Sequence, residues 1–239
     1  MSRRRYKDYI AVFRSIVRML PGAAAVKAVV LDFEFAMWKA VRKVLPTVTV
    51  RGCAFHWVQA VWRKCQKLGL QVAYTKSDMC HRFIRQLMAL PYLPKEHITA
   101  SFNRLDQMVP VSARPIRRLM NYVKTTWISS SKLPVNTWSV FGQAVRTNND
   151  VEGWHQRLNR KAKGQSLQLY VMVKLLSDEA RFVPMQVQLV SEQKLSRTQK
   201  ASSRSSQAKV FELWDLYTNS ELSPSQLLKS VGLIIAPKF

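Results

Sequence analysis

The sequence predicts a mostly helical α/β chain, in which two short parallel strands with flanking helices carry a large all-helical insertion. Two apolar, β-branched runs, at 26–31 and 48–51, are each followed by a stripe of helical period. From 75 to 146 helical stripes recur and strand signals fade. A strand–helix–strand–helix order of this kind is the mark of a parallel unit with right-handed crossovers.

Residues 5 to 20 place Tyr9, Val12, Phe13, Ile16, Val17 and Leu20 at helical spacing, and Pro21-Gly22 stops the helix. Its Arg-punctuated start has the look of a transit peptide, but Lys7 and Asp8 lie within it and it runs straight into the fold. Val26 to Leu31 reads as a buried parallel strand ended by Asp32. Phe35, Trp38, Val41 and Val44 form a helical stripe that ends before Pro46. Val48 to Arg51 is the second strand, and Gly52 opens a turn carrying Cys53 and His56. The helix after it runs from about His56 to Leu68, with Gly69 as its stop.

Prolines at 91, 94, 110, 115 and 134 divide the helical segment that follows. Residues 149–163 and 167–190 read as helices despite Pro184. The stretch 191–208 is basic and Ser-rich, a mobile linker, and a last helical piece spans 209–230. The expected divisions are 5–74, 75–146, 147–190, 191–208 and 209–239.

With 47% hydrophobic residues, most of the chain should be globular. The balance of 38 Lys+Arg against 14 Asp+Glu gives a formal +24, which points to a polyanion, nucleic acid or an anionic membrane surface. A solvated basic surface is the plainer reading and also places the chain near nucleic acid. Three cysteines, Cys53, Cys65 and Cys80, do not make a disulfide framework. No apolar run approaches the roughly 20 residues that span a bilayer, so no membrane partner is expected.

Asp32 stands at the end of a parallel strand, where open α/β sheets place their ligand crevice. It also stands where a helix cap would, and Asn149 with Glu152 approximates a capping box. Carboxylates drawn from different elements are what hard divalent cations need, and a pair of ions roughly 3.5 to 4 Å apart drives phosphoryl transfer. Cys53-x-x-His56 invites zinc, but the missing ligands would have to be Cys80 and His81, whose adjacency strains a tetrahedron, and zinc is disfavoured. Without a metal, Cys53 is a small buried residue and His56 begins a helix. Cys65 falls on an amphipathic helix and reads as inert.

Three pieces occur in order: Asp32-Phe33-Glu34-x-Ala36, Gly52-Cys53-x-Phe55-His56-Trp57-x-Gln59-Ala60 and Thr147-Asn148-Asn149-x-x-Glu152-x-x-His155. Over roughly residues 5 to 185 they resemble the second half of a Mutator-like (MULE) transposase catalytic domain. The resemblance implies a partial RNase H-like core, DNA as partner, a nuclear location, and Asp32 and Glu152 as catalytic acids holding Mg²⁺ or Mn²⁺. Cys53, His56, Asn149 and His155 would then support that site. The family's first Asp belongs on a strand before the helix at 5–20, where four residues precede the helix and none is acidic. The expectation is a truncated or degenerate transposase domain that keeps DNA binding and two of three acids and does not cut alone. The alternative is a non-enzymatic DNA-binding or scaffold protein derived from such an element.

The strand before Asp32 would present an unpaired apolar edge, to be covered by helices, by a partner or by a second copy. Arg157, Arg160, Lys161 and Lys163 follow Glu152 on one helix and are the foremost phosphate contacts, with Arg117 and Arg118 a second cluster. Trp127, Trp138 and Trp154 are candidates for stacking an unpaired base, though helical tryptophans more often belong to a core.

Overall fold

Helix α1 (Tyr6–Met19) lies on α2 (Phe35–Val44), the crossover between strands β1 (Ala28–Leu31) and β2 (Thr49–Gly52). The computed structural model describes residues 5–20, 22, 25–147, 149–162, 167–191 and 201–235. The strands pair in parallel, Ala28 opposite Thr49 and Leu31 opposite Gly52. Among the described residues the sheet has these two strands, so the outer edge of β1 has no strand partner. A small core of Leu31, Trp38, Val41 and Val50 joins sheet to helix, with Phe13 of α1 packed against it.

Helix α3 (Ala54–Lys67) follows β2 after one residue. It ends in a Schellman turn: Gly69 takes φ +70°, and the Leu70 amide donates to the Cys65 carbonyl at 3.0 Å. Short α4 (Gln71–Lys76) leads to α5 (Asp78–Ala89), whose N-terminus is capped by Ser77 Oγ, accepting from the Cys80 amide at 3.3 Å. Next come α6 (Lys95–Gln107) and α7 (Arg114–Val123), the latter continuing into a π-helical turn, Lys124–Ile128.

Residues 75–146, set apart by composition, share one core with α3. Trp57, Val61 and Cys65 pack in a single cluster with Ile84, Leu87, Phe102, Leu119, Trp127 and Trp138. The chain's last helices complete that cluster. Helix α11 (Ala201–Thr218) contributes Val210 and Trp214, and α12 (Pro224–Ile235) contributes Leu227, Leu228 and Val231 against α5. Ala201 to Ala208, which composition assigns to a linker, are therefore the first half of α11; the packed apolar half extends the helix backward through tolerant Ser, Gln and Ala.

The chain divides into two compact units. Residues 1–147 and 206–239 form the first, and 148–205 the second. The second holds α8 (Asn149–Lys161), α9 (Leu169–Arg181) and α10 (Val183–Ser191). The single helix predicted at 167–190 breaks at Phe182. Pro184 then occupies the first turn of α10, where its missing N–H leaves no hydrogen bond unmade.

The strand-end pair, Asp32 and His56, as candidate functional site

In the first unit, the sequence directs two side chains to the carboxyl ends of the strands. β1 delivers Asp32, and the Cys53 amide donates to the Leu31 carbonyl at 2.9 Å, which carries the ladder one step past β2. Helix α3 therefore starts beside Asp32 and has His56 in its first turn. His56 Nδ1 lies 2.9 Å from Asp32 Oδ1. The oxygen sits off the line of a ring N–H, so the approach is close without being an aligned hydrogen bond. Asp32's side chain is 46% exposed and that of His56 20%, so the pair opens to solvent through the carboxylate.

Neighbours fix this geometry. Trp38 Nε1 donates to the Asp32 carbonyl at 2.6 Å, locking the strand end to α2. Helix α2 begins at Phe35 with Glu34 in the capping position, so Asp32 is not the cap that its place before a helix suggested. Glu34 instead accepts from the Tyr9 hydroxyl of α1 at 2.7 Å. Gly52 is required: a Cβ there would stand 2.4 Å from the Phe33 ring. Cys53 is fully buried, as its structural reading foresaw. Burial first, and Cys80 nearby second, push the Cys65 thiol up to about 12, so Cys65 is chemically quiet.

The segment 138–147 closes over the same end of the sheet. The Ala54 amide donates to the Arg146 carbonyl at 3.0 Å, and Arg51 bonds the Gln143 side chain. Arg146 was not singled out by sequence reasoning, since a lone Arg before Thr147 carries no pattern. Its guanidinium lies 5.3 to 5.7 Å from the ring centres of Tyr92, Phe211 and Trp214. Burial lowers its pKa, and the charge of neighbouring Tyr92 opposes that shift.

In the second unit, Glu152 is half-buried on α8 and His155 is exposed, its ring 5.3 Å from Trp154. The side chain of Asn149 and all of Lys163 lie outside the described residues. Arg157 donates to Glu179 Oε2 at 2.6 Å, and Lys161 bonds the other oxygen of the same carboxylate. Those two hydrogen bonds hold the Glu179 carboxyl below its usual range, Lys161 contributing most. Of the expected phosphate contacts in this unit, Arg160 is exposed with no partner carboxylate among the described residues, while Arg157 and Lys161 share one.

Elsewhere, Arg117 lies 3.5 Å from Asp106 and donates to the Val109 carbonyl, whereas Arg118 is exposed. Trp127 and Trp138 are 3% and 1% exposed and pack around Trp57, so neither is a stacking platform. Their burial follows from the joining of residues 75–146 to the α3 core.

Compared with protein-family models, curated proteins and solved structures, the chain matches none. A two-ion phosphoryl-transfer centre needs several convergent carboxylates. Among the described residues no three His, Cys, Asp or Glu side chains come together in a way that could hold a metal ion. The strand-end pair offers one oxygen and one nitrogen donor, so it does not fit a pair of hard ions, and no cleavage step is derived through one. No described helix is long and apolar enough to cross a membrane.

Proposed function

We propose that this chain is a DNA-binding domain related to Mutator-like transposases, acting in the nucleus and holding DNA by its phosphates. The strand-end pair carries the reading. Asp32 and the Cys53-x-x-His56 turn are two of the three motif pieces, and they meet at the carboxyl ends of two parallel strands. The formal +24 supplies the sequence-independent attraction, through release of counterions from neutralised phosphates. Arg118 and Arg160, exposed and without a partner carboxylate among the described residues, are the cations readiest for such contacts. The reading assigns binding to this chain and does not assign strand cleavage.

The non-enzymatic reading, a scaffold descended from such an element, has its own support. Glu179 already engages Arg157 and Lys161, two of the cations that would lead phosphates toward Glu152.

The test is fluorescence anisotropy of a labelled duplex across a salt series. The reading expects binding at low salt and a log–log salt slope of roughly −5 or steeper, the signature of about six neutralised phosphates. Absence of binding at 50 mM salt, or a slope near zero, overturns it. A labelled DNA end incubated with Mn²⁺ tests both readings together, since each expects no nicking, and nicking that is lost in Asp32→Asn would belong to an enzyme and overturn them.

A further inference from the structure

We propose that a pocket between α6 and the start of α12 binds one oxyanion of the phosphate class, held by Arg104, Ser101 and the Ser225 amide. Both helices belong to the first unit, and the proposal does not depend on the DNA reading.

The pocket is a cavity of about 230 Å³, lined on one side by His97, Ser101 and Arg104. Their spacing, four residues and then three, sets them on one face of α6. Ser223, Pro224 and Ser225, at the start of α12, line the other side. No residue lining the cavity is acidic. Arg104 is exposed and has no carboxylate partner among the described residues.

The start of a helix is positive, and here one of its donors is left over. Ser223 and Gln226 cap each other: the Ser223 amide donates to Gln226 Oε1 at 2.8 Å, and the Gln226 amide to Ser223 Oγ at 3.3 Å. The Leu227 amide donates to the Ser223 carbonyl at 2.9 Å, and Pro224 has no N–H to give. The Ser225 N–H is therefore the first-turn donor without an acceptor among the described residues.

Ser101 is an independent sign. It is 4% exposed, yet its hydroxyl makes no hydrogen bond among the described residues. A buried hydroxyl in that state carries an unrelieved desolvation cost. Unlike Trp127 Nε1, it is not sealed inside apolar packing, and what it opens onto is the cavity. Water would satisfy the hydroxyl alone. An oxyanion also answers the unpaired guanidinium and the free amide of the helix start.

Titration of the full chain with inorganic phosphate, without DNA and at ionic strength held constant with KCl, tests this by amide shifts in ¹H–¹⁵N spectra. The proposal expects saturable binding with a Kd of about 1 mM and the Ser225 amide among the largest shifts. Arg104→Gln should weaken binding about tenfold, and Ser101→Ala about threefold. Both should melt as the parent does, since neither group has a partner to lose. Lys67→Gln, which removes an exposed charge from α3, should leave the affinity unchanged. Duplex DNA added to the phosphate-loaded chain names the source: displacement assigns the pocket to a backbone phosphate and its absence to a free ion, and either keeps the site. Failure to saturate, equal weakening by Arg104→Gln and Lys67→Gln, or a Ser225 amide that does not move overturns the proposal.

Discussion

The two compact units both carry apolar stretches and use them differently. In the first, Trp57, Ile84, Leu87 and Leu119 are fully buried, and even the return of α11 and α12 adds side chains to one continuous cluster. In the second, α9 has no buried residue: Leu169 is 64% and Tyr170 86% exposed, in a stretch that is apolar on every side. Hydrophobicity alone does not make a core. What makes the first unit one is that its stripes converge from many elements on α3 and α5, whereas the stripes of α9 meet few partners. Stability should therefore reside in the first unit, which also carries the strand-end pair.

The sharpest way to break that contrast is to truncate one apolar side chain in each. Trp57→Ala removes an indole that stacks on Trp138 at 4.5 Å and donates to the Met88 carbonyl. It should lower stability by about 3 to 5 kcal/mol in urea unfolding, while Leu169→Ala should change it by no more than about 0.5 kcal/mol. Equal losses would mean that both side chains are covered in solution. Next in size, Gly52→Ala forces a Cβ into the Phe33 ring and should cost about 1 to 3 kcal/mol.

Arg146→Met should cost about 0.5 to 2 kcal/mol, read as a lowered melting temperature. Arg146→Lys should not restore it, since an ammonium cannot lie flat across three rings. The smallest effect belongs to the second unit. Lys161 and Arg157 lower the folded pKa of Glu179, so their stabilisation is present above the ordinary value of 4.5 and fades as pH falls through the lowered one. Glu179→Gln should abolish that acid limb in helical circular dichroism. It should also raise DNA affinity modestly at neutral pH, by releasing two cations.

The strand–helix–strand unit was legible because its signals are local: β-branched runs, a strand-end Asp, and a glycine before the turn. The observed β1, α2 and β2 fall within two residues of the expected bounds. The meeting of Asp32 with His56 follows from that order, since parallel strands bring their carboxyl ends together. What stayed hidden is long-range. Trp214 donating to the Tyr92 carbonyl at 2.9 Å joins residues 122 positions apart, and nothing near either position announces the other. The same holds for Arg146 among three rings from two distant segments. Of the two readings open for Trp127 and Trp138, stacking or core, the structure gives the core, and the sequence does not reveal that it is the one shared with α3.

Peptide-resolved hydrogen exchange, with and without duplex DNA, tests most directly the claim that the chain holds DNA by its phosphates through Arg118 and Arg160. The account expects the peptides covering 114–123 and 152–161 to gain protection on DNA addition, with 84–93 already protected and unchanged. Unchanged exchange at both 114–123 and 152–161 in the presence of saturating DNA would contradict it.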